Sequence, residues 1–133
     1  MPVLLILHSV WRWAVLIVAL LALYGLIRSR REDPTPVLLE HAVRWYPVIL
    51  DIQVALGIVL WLAQRWGAVP LTSTQVIHPV WGLLAAGAAH GAAAFREREN
   101  PTRALGMLAA YGLSLLLVFI ALASVGAFPF GRR

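Results

Sequence analysis

Four apolar segments, each long enough to cross a bilayer, constrain this chain more than any other feature. They lie at about 3–28, 42–64, 76–95 and 104–128, and a spanning helix needs about 20 mostly apolar residues. Charged or proline-containing stretches separate them at 28–36, 64–75 and 96–101, where a helix in lipid cannot continue. Because these connections are short, the sequence predicts one all-α membrane domain over residues 1–133, with four transmembrane helices in an up-down-up-down bundle.

The composition excludes several classes of protein. Hydrophobic residues make up 61% of the chain and charged residues 13%, about half the charged share of an average soluble domain. A soluble globular domain, a disordered chain and a nucleic-acid-binding module are therefore excluded. The absence of cysteine excludes disulfides, thiolate metal sites and iron–sulfur clusters. No phosphate-binding loop, nucleophile elbow or metalloprotease motif is present, so a hydrolase or kinase finds no support.

The arginines predict an orientation in the membrane. Seven of the eleven basic residues flank the first and third connections, and four lie on the opposite side. Cytoplasmic loops carry the excess of positive charge, which places both termini outside the cytoplasmic membrane of a bacterium. The first apolar segment has no basic residue before it and no small-residue cleavage site after it. We therefore expect a retained first helix and not a signal peptide.

Four histidines lie in the predicted helices and carry the main functional hypothesis. His8 and His78 open the first and third helices, at the outer end of the bundle, and His41 and His90 lie near the inner end. Neutral imidazole is a common ligand for haem iron and requires no cysteine. Each pair could hold one haem b between facing helices, and one haem is favoured over two.

Small residues and one arginine extend the haem hypothesis. Gly82, Ala86 and Gly87 lie on the faces of His78 and His90 and would leave room for a flat macrocycle, although small residues also permit close packing of membrane helices without a cofactor. Arg12, four residues after His8, could bind a haem propionate at the outer surface or extend its side chain to the membrane interface.

An acidic residue near the middle of the second helix suggests a second site. Asp51, with Gln53 close by, could relay protons or bind a quinone hydroxyl. It could equally be a protonated carboxyl that is hydrogen-bonded to a neighbouring helix through Ser114, or it could pair with Arg44. Together, the histidines and Asp51 predict a haem b electron carrier, either alone or as a subunit of a membrane oxidoreductase, with quinone as an optional partner.

Short motifs along the chain resemble small bacterial four-helix membrane proteins described as cytochrome b-like. Residues 7–13 (LHSVWRW) match their opening, and Gln53 and Gly57 match a motif of their second helix. The pair His78-Pro79 with the later His90 matches their third helix, and Pro129-Phe130 matches their end. The resemblance implies haem binding, with the outer pair His8 and His78 complete. These proteins often have histidine at the position of Asp51, so an inner haem would use His41 instead.

Two other functions compete with electron transfer. The chain could be an accessory subunit of a larger respiratory or photosynthetic membrane complex, either without a cofactor or holding a chlorophyll through His90. It could also be a small transporter that uses Asp51 and Arg44, although no series of polar residues predicts a pore. The predicted partners are the lipid bilayer and other membrane subunits or further copies of the chain, and not nucleic acid.

Overall fold

The structure is a computed structural model that describes residues 2–65 and 72–126, and these residues form an all-helical bundle. Helix α1 spans Pro2–Arg30, α2 spans Val37–Arg65, α3 spans Ser73–Gly91 and α4 spans Thr102–Ser124. A 3-10 turn, Ala92–Phe95, continues α3. The helical bundle predicted from the sequence is confirmed. The predicted end of the fourth helix at residue 128 and the Pro129-Phe130 pair lie outside the described residues.

Local sequence signals explain where these helices begin and end. Helix α2 begins five residues earlier than predicted, directly after Pro36, whose carbonyl accepts from the backbone N–H groups of Leu39 and Glu40. Proline is favoured at a helix start, where its missing N–H is not needed. Helix α3 begins with a capping box between Thr72 and Gln75. After α4, Gly126 adopts a φ of 68°, the left-handed conformation common just past a helix end.

Consecutive helices pack antiparallel and form two hairpins. Helix α1 packs along α2 and α3 along α4, and the hairpins meet through α1–α4 and α2–α3 contacts. Helices α1 and α3 lie diagonally across the bundle, as do α2 and α4. Close approach within the first hairpin depends on Gly25, where a Cβ atom would lie 3.1 Å from Cβ of Leu39. Because α1 and α3 are diagonal to each other, their side chains can meet at the centre of the bundle.

Hydrogen bonds between buried tyrosines and their partners tie the two hairpins together. The Tyr46 hydroxyl of α2 bonds Ser114 Oγ of α4 at 2.8 Å, and Ser114 donates to the carbonyl of Ala85 on α3 at 2.8 Å. The Tyr111 hydroxyl of α4 donates to the carbonyl of Val43 on α2. All these side chains are buried. Polar groups in an apolar core require such partners, because an unsatisfied group costs about 1–3 kcal/mol.

Three of the described helices are long and apolar enough to cross a membrane. The candidate spans are Val3–Arg30, Val37–Gln64 and Thr102–Ser124, with mean hydropathies of 2.1, 1.9 and 2.4. Helix α3 is not among them, so the prediction of four spans is met for three helices. The reason lies in its ends: Ser73, Thr74, Gln75 and His78 occupy its first turns and His90 its last, which shortens its apolar part.

Candidate functional site

A cavity of about 310 Å³ lies at the end of the bundle where α1 and α3 begin. All four helices line it. Helix α1 contributes His8 and Arg12, α2 contributes Gln53 and Gly57, and α3 contributes His78. These include five residues that the sequence singled out, so the bundle brings most of the predicted outer site into one place.

The imidazoles of His8 and His78 meet across this cavity. Their ring centroids are 6.2 Å apart and their planes are 88° apart. His8 lies six residues from the start of α1 and His78 five residues from the start of α3, so both lie roughly 8–9 Å along their helices at a rise of about 1.5 Å per residue. The predicted juxtaposition of two imidazoles at one depth is present in the structure.

A backbone carbonyl orients His78. Its Nδ1 lies 2.8 Å from the carbonyl oxygen of Ala121 on α4, which also accepts from Ser124 Oγ at 2.6 Å. A carbonyl only accepts, so Nδ1 carries the proton and donates. The neutral ring then has its lone pair on Nε2. A hydrogen bond to the non-ligating nitrogen is the usual support of a histidine ligand to a metal.

The backbone of Gly57 holds the opposite ring in place. A Cβ atom at Gly57 would lie 2.8 Å from Cε1 of His8 and 3.4 Å from its Nδ1. Real Cβ atoms do not approach other atoms so closely, so the His8 ring lies directly on the backbone of α2. Glycine at this position therefore lets the His8 ring lie against α2, and any larger residue would displace the ring. Gly57 lies four residues after Gln53, on the same face of α2.

Three buried polar atoms around the cavity have no hydrogen-bond partner among the described residues. They are Nδ1 of His8, Nε of Arg12 and Oε1 of Gln53. Buried polar atoms are nearly always satisfied, and here three such residues line one cavity. By contrast, the indole N–H groups of Trp11 and Trp61, on the same two helices, donate to the carbonyls of Ile49 and Gln75 at 2.9 and 2.8 Å. The unsatisfied groups are thus concentrated where a polar ligand would fit.

The residues around this cavity are of the types that hold a haem. Two imidazoles bound to one metal ion, at about 2.0–2.1 Å per nitrogen, have their ring centroids on the order of 6 Å apart, close to the observed 6.2 Å. The Arg12 guanidinium is a suitable partner for a propionate. No group of three or more histidine, cysteine, aspartate or glutamate side chains converges in the described part of the chain, but axial haem ligation needs only two imidazoles.

Asp51 and His90 form a second polar site, on the outer surface of the bundle. Nε2 of His90 lies 2.7 Å from Oδ2 of Asp51, and the two side chains are 55% and 45% exposed. Asp51 is the middle residue of the 29-residue helix α2, about 21 Å from either end. The pair therefore lies level with the middle of α2, half-exposed on the surface of the bundle between α2 and α3.

This pairing changes several expectations from the sequence. His41 and His90 do not form an inner pair, because His90 binds Asp51 while His41 is exposed and lines another cavity at the inner end. Asp51 does not bind Ser114, whose hydroxyl is bonded to Tyr46 and Ala85. The sequence pattern groups Gln53 with Asp51, yet Gln53 lines the outer cavity with His8. Two residues along a helix differ by about 200° in direction, which separates their sites.

Sequence reasoning missed two contributors to the outer site. Gln64 and Gln75 also line the cavity, although the sequence pattern predicts both at the ends of the connection between the second and third helices. The polar sequence of that stretch resembles a loop, and only the capping box of Thr72 with Gln75 signals that α3 begins there. Its earlier start brings Gln75 onto the same helix as His78.

Comparisons with known proteins identify no relative. No protein-family model, no curated protein and no solved structure matches this chain. The function must therefore be argued from the two sites themselves.

Proposed function

We propose that this chain is a membrane-embedded b-type haem protein that transfers electrons, with His8 and His78 as the axial ligands of a single haem. The observation that carries the proposal is the meeting of these two imidazoles at one depth, from diagonally opposite helices. When bound, a haem supplies a one-electron redox centre. The protein contributes the ligands, a low-dielectric environment and a fixed position in the bilayer.

The surrounding residues have defined roles in this proposal. The carbonyl of Ala121 fixes the tautomer of His78, so that Nε2 is available to the metal. Gly57 lets the His8 ring lie against α2. Arg12 balances the charge of a propionate, and Gln53 offers a further polar group to the bound cofactor. Each role uses a group that is either already oriented or without a partner among the described residues.

Quinone is the redox partner that the second polar site favours. A quinol hydroxyl can donate to the Asp51 carboxylate, and a quinone carbonyl can accept from Nδ1–H of His90 when the ring carries both protons and Nε2–H donates to Asp51. Gly87 and Gly91 lie on the exposed surface of α3 near His90, and nothing lies within 4 Å of a Cβ atom at either position, so the approach to His90 is open. Asp51 and Gln53 lie two residues apart and therefore point to nearly opposite sides of α2. The Asp51–His90 pair and the histidine cavity are thus separated by this one helix, which is about 10–12 Å across.

The path of the chain supports four membrane crossings. Helix α2 ends near the histidine cavity, and α4 begins at the other end of the bundle, beside the second cavity. Helix α3 connects these two ends, so it crosses if its neighbours do. We place the connections α1–α2 and α3–α4 in the cytoplasm of a bacterium and both termini outside, because seven of the eleven arginines lie at the cytoplasmic end.

A series of single histidine variants tests the proposal. We expect His8→Ala and His78→Ala to lose the bound haem, measured as haem per purified chain by the pyridine haemochrome assay. His41→Ala and His90→Ala are the matched controls and should retain it. Equal loss in all four variants would contradict the assignment of ligands.

A colourless protein after expression with ample haem would contradict the proposal as a whole. The accessory-subunit function would then be favoured, and a helix of another subunit would cover the half-exposed Asp51–His90 pair.

A further inference from the structure

A second cavity, of about 550 Å³, lies at the opposite end of the bundle from the histidine cavity. The end of α1, the start of α2 and the connection between α3 and α4 surround it. Three arginines line it: Arg44 on α2, Arg96 directly after the 3-10 turn, and Arg103 in the first turn of α4. Three separate elements thus bring positive charge to one cavity.

Among the side chains that the structure describes, at 3–64 and 72–126, these three guanidinium groups have no carboxylate partner, and the one ion pair is Asp51–His90. Glu40 is the acidic residue among those that line the cavity, so the lining keeps an excess of two positive charges. Arg44 lies over the ring of its neighbour Trp45, at 5.8 Å from the ring centre. Three arginines and one glutamate around a single cavity give it a positive potential, which points to an anionic ligand.

Packing fixes two of the arginines. The Phe95 ring lies directly against Gly106 of α4, where no Cβ atom could be accommodated. This contact holds the 3-10 turn on α4, with Arg96 next to Phe95. Arg103 lies three residues before Gly106, on the same face of α4. The packing of the 3-10 turn on α4 therefore brings both cationic residues to the same cavity.

The floor of the cavity is apolar, whereas its rim is polar. Leu26, Val43 and Met107 are buried at 1%, 9% and 2% exposure and form part of the lining. Ser29 and Thr35 add hydroxyl groups. A ligand that fits both parts has an anionic head and an apolar body. Basic pockets between transmembrane helices at the cytoplasmic side bind phospholipid head groups in this way.

We propose that this cavity binds the phosphate of an anionic phospholipid from the leaflet at this end of the bundle. Arginine binds phosphate oxygens in a bidentate manner, and the apolar floor contacts the glycerol and upper acyl region. A free phosphate ion could also bind the arginines, but it would not contact the apolar floor. The lipid is therefore the occupant that uses the whole cavity.

Binding to the full-length chain in detergent tests this proposal. The titrants are phosphatidylglycerol, phosphatidylcholine and inorganic phosphate, and the readouts are native mass spectrometry and the midpoint of thermal unfolding. We expect saturable binding and a raised midpoint with phosphatidylglycerol alone. Equal effects of phosphatidylcholine, or an equal effect of inorganic phosphate, would overturn the assignment of an anionic lipid.

Two double variants locate the site. Arg96→Gln with Arg103→Gln should weaken phosphatidylglycerol binding by about tenfold or more, since each surface arginine adds severalfold to the affinity for anionic lipid. Arg30→Gln with Arg31→Gln removes the same charge at the same end of the bundle, from exposed positions outside the cavity, and should bind as the wild type does. Equal losses in both variants would show general charge attraction and overturn the site. If circular dichroism shows that the first variant does not fold, Arg44→Gln replaces it, and phosphatidylglycerol binding should again weaken.

Discussion

At the scale of single residues, the sequence predicts some contacts of the outer histidine site and not others. The common depth of His8 and His78 follows from their positions near the starts of two parallel helices. The contact between His8 and Gly57 could not be derived in this way, because it depends on the rotation of α1 and α2 about their axes. The structure shows this rotation, and it gives Gly57 of the Gln53–Gly57 motif a physical reason, because a larger side chain there would displace the His8 ring.

Gly57→Ala tests that steric requirement. The new methyl group would lie 2.8 Å from Cε1 of His8, so the ring or the helix must shift. We expect a loss of about 1–3 kcal/mol in the free energy of unfolding and a lower haem content per chain. Gly112→Ala is the matched control, since nothing lies within 4 Å of a Cβ atom there, and it should leave both quantities unchanged or raise stability slightly. Wild-type haem content in Gly57→Ala would contradict the placement of His8.

Asp51→Asn tests the outward-facing polar pair. The amide keeps the shape of the side chain but cannot accept a proton, so we expect reduction of the haem by a quinol to slow by about 10²-fold or more. The visible spectrum and the haem content should stay as in the wild type, because Asp51 does not line the histidine cavity. Asp33→Asn, at an exposed position in the first connection, is the control. An unchanged rate in Asp51→Asn would refute this role.

At the scale of helices, the existence of all four elements was predictable, and their ends were less so. Apolar length identified the helices, whereas the polar starts of α2 and α3 were read as connections. Proline before Val37 and the Thr72–Gln75 capping box begin these helices earlier, and hydrogen bonding at a helix start has no hydropathy signal. The hydrogen bonds that link the hairpins could not be predicted either, because the hydroxyl groups of a serine and two tyrosines have many alternative partners.

Ser114→Ala tests the link between the hairpins. It removes the partner of the buried Tyr46 hydroxyl and the donor to the Ala85 carbonyl. We expect the free energy of unfolding to fall by about 1–3 kcal/mol, measured by thermal or denaturant unfolding in detergent. The control, Ser73→Ala, changes an exposed serine in the first turn of α3 and should have little effect. Equal stability of the two variants would mean that this hydrogen-bonded link contributes nothing.

At the scale of the whole molecule, the bundle has two chemically different ends. One end holds two imidazoles and three polar atoms without a hydrogen-bond partner among the described residues, and the other holds a cavity lined by arginines. Composition predicted the membrane, and the four apolar segments with their short connections predicted the bundle. It could not predict which residues share a cavity, because that depends on which helices are neighbours and which are diagonal.

The orientation and the crossing of α3 can be tested together, because the chain contains no native cysteine. Single cysteines are introduced at Thr72 before α3, at Glu99 after it, and at Asp33 in the first connection. In intact cells, we expect a membrane-impermeant thiol reagent to label position 72 and not positions 33 or 99. Labelling of 72 and 99 from the same side would contradict a crossing by α3. Labelling of 33 and 99 without 72 would reverse the orientation.

The central claim is that His8 and His78 bind one haem b, and a reduced-minus-oxidised visible spectrum of the purified protein tests it most directly. The same sample gives the haem stoichiometry by the pyridine haemochrome assay. We predict the sharp α-band of a low-spin b-type haem and one haem per chain, because the structure brings together a single pair of imidazoles in the part of the chain it describes. A spectrum without that band after expression with ample haem, or a stoichiometry of two, would contradict this account.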